Sequence, residues 1–424
     1  MADRPPPRLR TVDRQQFIPA MPLEQLLDSD HQARLVWDFC AGLDLTGLYD
    51  GIRSRVGGPG HPALDPRIGV ALWLYATLEG VGSARALDYL CTHHNAFRWL
   101  CGGVSVNYHT LADFRVAHLD FLDALLTHSV AVLREQGLVD LNRVAVDGMR
   151  VRASAGAASF HRKPTLEDCL QEAADQVARL KEELDDDPAA PSRRHAAARA
   201  RAAHERQQRL EQALGRLPEL EARKKAGEKD KARASSTDPE ATVMKMADGG
   251  FRPAYNVEYA AAPGSLAIVA VEVTTQGSDA GQITPLIDQV HERTGAYPQE
   301  ALADGGFVEL RDIAAAQSPP RGCQVYAPVP QPKDPQRDRY APLPTDSEPV
   351  REWRGRMGTD EAKAIYRQRA STIECVNAQA RNRGLVRLWV RGVAKVKAVA
   401  LWFAIAHNVV CGARRRARKA ALAV

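Results

Sequence analysis

The stretch YNVEYAAAPGSLAIVAVEVTTQGSDAGQITPLIDQVHERTGAYPQEALADGGF, residues 255–307, decides the fold. YNVEYAAA and LAIVAVEVTT read as two apolar strands, and Pro263-Gly264 between them reads as the tight turn of a hairpin. Thr284-Pro285 then opens a helix, since proline suits the first helical turn, and Leu286, Ile287 and Val290 recur on one face. QEALAD follows as a short strand that ends in an aspartate, Asp304.

Working outward, LVDLNRVAVDGMRVRA (residues 138–153) places Val144, Val146 and Val151 among polar alternates and predicts a further strand. Asp147 lies inside it. A carboxylate in an apolar strand is costly to bury unless it is paired, protonated or bound to a cation, although capping a turn at Gly148 would also account for it. GCQVYAPV (residues 322–329) supplies a fifth strand. A strand, a hairpin pair, a crossover helix and a strand beside the first form the order of an α/β, ribonuclease H-like domain.

The pentapeptide ADGGF occurs twice, at Ala247–Phe251 and at Ala303–Phe307. Asp304 stands at the carboxyl end of a strand reached through a crossover helix, where open α/β sheets hold their ligands. Asp248 follows a polar loop and precedes Arg252-Pro253, which reads as a turn leading into the hairpin. The pair is expected to be convergent turn chemistry, with Asp304 the functional member.

The flanking zones differ in character. Residues 1–137 are expected to form a helical N-terminal domain, with Asp65-Pro66 and Ser83 starting helices and Thr110 capping the helix of YHTLADFR. A helix-turn-helix-like DNA module and a plain helical domain both suit that pattern. The catalytic domain is expected to start at 138–159 and resume over 246–412. Residues 160–245 are charged and alanine-rich, with Leu180, Leu184, Leu210, Leu214 and Leu217 at helical spacing, and predict an inserted helical hairpin acting as a spacer or coiled-coil contact.

The seven cysteines are scattered without a CxxC pair, as in a reducing compartment. Cys91, His93, His94 and Cys101 match no standard zinc spacing and read as structural. MADRPPPRLR has no apolar signal core and no run of about eighteen uncharged apolar residues follows, so a cytoplasmic, nucleoid-associated protein without membrane contact is expected.

The net charge of +5 hides a strong asymmetry. Residues 351–424 hold 17 Lys+Arg and 4 Asp+Glu, a balance of +13, while the remainder of the chain stands at −8. Such a local field attracts a polyanion, and binding to nucleic acid would be strongly salt-dependent. The run Arg414–Lys419 within residues 413–424 reads as a basic tail. Thr359 is placed to cap a long helix reaching about Arg383, with Ile365, Thr372, Val376 and Ala380 facing inward. Glu374 is its one acid after Glu361, among Arg367, Arg369, Arg381 and Arg383. Alone, it would pass for an ion pair on a solvated face.

Asp147, Asp304 and Glu374, with Tyr366, Arg369 and Arg381 around the glutamate, resemble the DDE transposases of bacterial insertion sequences, particularly the eleven-eighty-two group. Tyr366, Arg369 and Glu374 meet the Tyr-x-x-Arg-x-x-x-x-Glu pattern of such proteins, and Arg381 stands where lysine is common. YHTLADFR, SSTDPEA, AYN and RGVAKVKAVALWFAIAHNVV extend the likeness. The resemblance implies cleavage at the element's ends and joining of the 3′-hydroxyl to target DNA, with two Mg²⁺ ions, replaceable by Mn²⁺. Asp147 would bridge the ions while Asp304 and Glu374 each complete one; Tyr366, Arg369, Arg381 and Arg383 would contact DNA. It also implies a homodimer on double-stranded DNA carrying terminal inverted repeats. A metal-dependent nuclease of the same fold without strand transfer, and a catalytically inactive DNA-binding relative, are the alternatives.

Overall fold

The computed structural model describes residues 21–54, 62–186 and 193–422. The chain opens with helices α1 (Gln32–Ala41), α2 (Thr46–Asp50), α3 (Pro66–Leu78), α4 (Ala84–His93), α5 (Asn95–Cys101), α6 (Tyr108–Ala117) and α7 (Leu119–Glu135). Asp65 caps α3 by accepting the Arg67 N–H at 2.8 Å, and Ser83 caps α4. α3 is buried on nearly every face because its sequence is apolar all round. The cap of α6 is Asn107 rather than Thr110: its Oδ1 accepts the Thr110 N–H at 3.0 Å, so the helix starts three residues earlier than expected. Asparagine caps at least as well as threonine, and Thr110 becomes the third helical residue, the one whose N–H a cap satisfies.

The sheet is built around β1 (Arg143–Arg152). After β1, the two-residue strands β2 (Phe160–His161) and β3 (Ala234–Ser235) pair across the base of an inserted hairpin of α8 (Lys163–Asp186) and α9 (Arg193–Ala222). That hairpin has a small core of its own, including Leu166, Ala173, Leu210 and Leu217. β4 (Thr242–Lys245) falls in the stretch expected to be helical; it pairs with the start of β5 (Phe251–Ala261). β5 runs antiparallel to β1 and to β6 (Ile268–Thr274), and α10 (Ile283–Thr294) crosses over to β7 (Glu300–Leu302), which lies parallel to β1. Asp312 receives the Ile283 and Thr284 N–H groups at 2.9 and 3.1 Å, which fixes the start of the crossover helix. After α11 (Leu310–Gln317), β8 (Gln324–Tyr326) adds parallel to β7. The resulting order, β6-β5-β1-β7-β8, is consistent with the expected ribonuclease H-like arrangement.

The remaining helices are α12 (Glu348–Met357), α13 (Asp360–Tyr366), α14 (Cys375–Asn382) and α15 (Val393–Ala421). α15 is long and apolar enough to span a membrane, yet 78% of its apolar window is buried inside the protein, against α3, α6, α7 and β6. Asn408 accepts from Ile268 N and donates to its carbonyl, both at 2.8 Å, while Trp402 donates to the Arg115 carbonyl at 2.9 Å. One helix thus bolts the N-terminal helices to the sheet. The basic run Arg414–Lys419, expected as a separate tail, forms its last turns.

Candidate active site

Asp147 sits in the middle of β1 and Asp304 follows the end of β7. The parallel register pairs Ala145 with Leu302, the last residue of β7, so Asp147 lies two residues further along β1 while Asp304 lies two residues past the end of the neighbouring strand, at the same end of the sheet. Asp304 Oδ1 accepts the Gly306 N–H at 2.8 Å and caps the short turn Gly305–Phe307. Asp147 is fixed by Asn377, whose Nδ2 donates to its Oδ2 at 3.0 Å.

Glu374 arrives by a less regular route. Thr359 caps α13 as expected, its Oγ1 accepting the Ala362 N–H at 3.1 Å. The predicted single helix to Arg383 is interrupted: α13 ends at Tyr366, a wide π-type turn covers Ala370–Glu374, and α14 follows. Thr372 Oγ1 donates back to the Gln368 carbonyl at 2.7 Å, a local competition with the helical ladder that bends helices, and π-type turns recur at functional sites. The inward residues are Thr372, Val376 and Ala380, as their spacing predicts, with Ile365 half-buried.

Arg369 joins the acids. Its guanidinium donates to Glu374 Oε1 at 2.6 Å and stands 3.7 Å from Asp147 Oδ2, with its side chain only 11% exposed. Glu374 itself remains half exposed, and it is the burial of Arg369 that sets this pair apart from two groups on a solvated face. Burial pushes the Asp147 carboxyl from 3.8 up to about 6; Arg369 opposes that shift, while the charges of Asp304 and Asp279 reinforce it. Electrostatically, Asp147 is a carboxylate short of positive charge.

Among the described residues, no three His, Cys, Asp or Glu side chains already stand close enough to hold an ion. The residues nonetheless fit a hard divalent cation. The donors are carboxylate oxygens, the ligands Mg²⁺ and Mn²⁺ take, and the charge they need is partly supplied by Arg369 lying between Asp147 and Glu374.

Of the residues expected to touch DNA, Arg381 is exposed and Tyr366 is half-buried against the core. Arg369 is turned inward. Arg383 is half-buried too: it lines a cleft with Trp73, Trp389 and Trp402, and one of its guanidinium nitrogens is buried without a partner among the described residues. Sequence reasoning passed over Asn377, Asp279 and the buried Asn256 and Glu258. Polar residues at alternate positions of the otherwise apolar YNVEYA were the available signal for the last two.

A family model described as Transposase DDE domain matches residues 323–411, and a second, described as Transposase domain (DUF772), matches residues 21–117. Together the two matches indicate an insertion-sequence DDE transposase. The first match contains the π-type turn with Glu374 and most of α15; Asp147 and Asp304 lie outside both. No curated protein and no solved structure matches the chain. Transposase domains of these kinds imply DNA as the substrate class and a divalent metal ion as the cofactor class.

Proposed function

We propose that this transposase cuts the phosphodiester bonds at the ends of its insertion sequence and joins the freed 3′-hydroxyl to target DNA, with Asp147, Asp304 and Glu374 as the catalytic acids. The placement of Asp147 on β1 and of Asp304 just past the end of the parallel β7, with Glu374 tied to Asp147 through one shared guanidinium, carries this reading.

Two Mg²⁺ ions at these carboxylates would stabilise charge on the attacking and leaving oxygens. Asp147 offers its oxygens from a central strand, where ladder bonds hold position, and Asp304 from a turn fixed by its own bond to the Gly306 N–H. Arg369 holds Glu374 near Asp147 and relieves the repulsion among the acids until cations take over that task, at which point its guanidinium is free to meet a phosphate. Arg381, exposed about two turns beyond Glu374 on α14, would bind the DNA backbone, and Arg383 and Tyr366 would line the approach. A homodimer on paired ends completes the proposal.

The test is incubation of the purified chain with DNA bearing its own terminal repeats and Mg²⁺. Nicking at the repeat boundary, strand-transfer product on a labelled plasmid, and loss of both in Glu374→Gln are expected. Nicking that persists in Glu374→Gln would refute the assignment; nicking without any joined product would favour a nuclease.

A further inference from the structure

We propose that Asp279 is a fourth acidic ligand of this site, offering its Oδ2 to the divalent cation at Asp147 and Asp304, and that the buried Asn256 holds it in place. The inference rests on the catalytic reading above and deepens it.

Asp279 lies in the connection between β6 and α10, nine-tenths buried. Two glycines give it room. Gly148, directly after Asp147 in the central strand, has no space for a side chain: a β-carbon there would fall 2.4 Å from Asp279 Oδ1 and 2.9 Å from Asn256 Oδ1. Glycine inside a strand weakens it, and its presence marks a close approach. On the other side, a β-carbon on Gly306 would lie 3.0 Å from Asp304 Oδ1 and 3.3 Å from Asp279 Oδ2, so those two oxygens flank one point. Each candidate catalytic aspartate is thus followed, within two residues, by a glycine that admits Asp279.

The two oxygens of Asp279 have different surroundings. Oδ1 is held from inside by Asn256 Nδ2 at 2.5 Å, and the same nitrogen donates to Glu258 Oε1 at 2.9 Å. Oδ2 faces Asp304 and is 3.7 Å from the Arg150 guanidinium, beyond hydrogen-bonding distance, while that guanidinium donates to the Gly277 carbonyl at 2.8 Å. Asn256 and Glu258 are fully buried, yet Asn256 Oδ1 and Glu258 Oε2 have no hydrogen-bond partner among the described residues. Unpartnered buried polar atoms are unfavourable, and their concentration behind one carboxylate points to a site organised around a charge that is added on binding.

Mn²⁺ binding to the full chain, without DNA, tests this by electron paramagnetic resonance and by the rise in Tm that Mn²⁺ produces. Asp279→Asn should fold with a metal-free Tm equal to or above that of the native chain, because one of several like charges is gone, while its Mn²⁺ affinity falls about tenfold or more. Asp279→Cys should bind Cd²⁺ with a cadmium–thiolate absorption band, since a thiolate favours the softer ion. Arg150→Ala should leave Mn²⁺ affinity near native. If Asp279→Asn binds Mn²⁺ like the native chain while Asp147→Asn does not, this inference fails and the catalytic reading stands. If Asp147→Asn also binds normally, both fail. A lowered metal-free Tm in Asp279→Asn without loss of affinity, or Arg150→Ala matching its affinity loss, would make Asp279 a structural ion-pair partner and overturn the proposal.

Discussion

The two ADGGF segments carry the same five residues and the same local bond, yet only one enters the candidate site. In each, the aspartate Oδ1 accepts the N–H of the second glycine, at 3.0 Å for Asp248 and 2.8 Å for Asp304. Beyond that bond they diverge. Asp248 lies on the surface, where Arg252 binds it at 2.7 Å and holds its carboxyl below the ordinary range. Asp304 follows a strand whose parallel neighbour carries Asp147, and its charge raises the carboxyl of that neighbour. Identical local sequence therefore fixes a turn but not a function; topology decides which turn meets other acids.

The sharpest way to break this contrast is to exchange each aspartate for asparagine, which keeps the size and an oxygen for the turn. Asp304→Asn is expected to lower cleavage of terminal-repeat DNA by about a hundredfold or more, the scale of losing a major electrostatic contact in a transition state. Asp248→Asn should leave the rate unchanged. Equal losses in the two variants would sink the distinction drawn between them.

The two arginine partners extend the comparison from rate to stability. Arg369→Gln strips a buried guanidinium from Asp147 and Glu374 and should destabilise the metal-free protein by about 3 kcal/mol at pH 8, the usual size for breaking a buried pair. Removing Arg369 raises the Asp147 carboxyl further, so the loss should shrink toward pH 5, where that group is protonated. Arg252→Gln should leave Tm unchanged, because its partner is fully solvated and screened. Calorimetry with a chelator present checks both.

Asp147 predicts a pH trend of its own. Its folded-state carboxyl lies near 6 against an ordinary 3.8, so the native state holds the proton more tightly than the unfolded chain. Stability should therefore fall as pH rises from about 4 to about 6, by roughly 2–3 kcal/mol, then level off from this group. Asp147→Asn should flatten that segment of the curve, and saturating Mg²⁺ should recover most of the loss above pH 6. Asp248, shifted the other way and fully exposed, should not register in the same titration.

Much of this was legible in the sequence, for physical reasons that also mark the limits. The hairpin of β5 and β6, the crossover helix and β7 follow from residues 255–307 because period-2 and period-3.6 apolar patterns meet at Pro263-Gly264 and Thr284-Pro285. Asp147 was visible as a charge in an apolar strand. The break before Glu374 was not, because Thr372 bonding back to Gln368 is a choice of rotamer, invisible to periodicity. Nor was the inward turn of Arg369: an arginine-rich helix reads as a solvated, phosphate-seeking face until packing buries one guanidinium against two acids. β4 was hidden for a simpler reason, as four residues at a sheet edge borrow their conformation from β5.

The smallest expected effect returns to the pentapeptides and separates them at their first glycine. Gly249 adopts φ +82°, a left-handed conformation in which a β-carbon is strained, whereas the equivalent Gly305 lies in a right-handed turn and has Pro328 no closer than 4.0 Å to an added β-carbon. Gly249→Ala should cost about 1 kcal/mol in Tm or denaturant titration, and Gly305→Ala close to nothing. The member of the pair proposed to be functional is then the one that tolerates a side chain at its first glycine, since its backbone conformation is ordinary and its constraint lies one residue later. At Gly306 an added methyl would press on Asp304 Oδ1 and Asp279 Oδ2, and Gly306→Ala should reduce metal affinity more than it reduces stability. If Gly305→Ala instead proved as costly as Gly249→Ala, the two turns would share a backbone requirement and their divergence would begin only at the neighbouring strands.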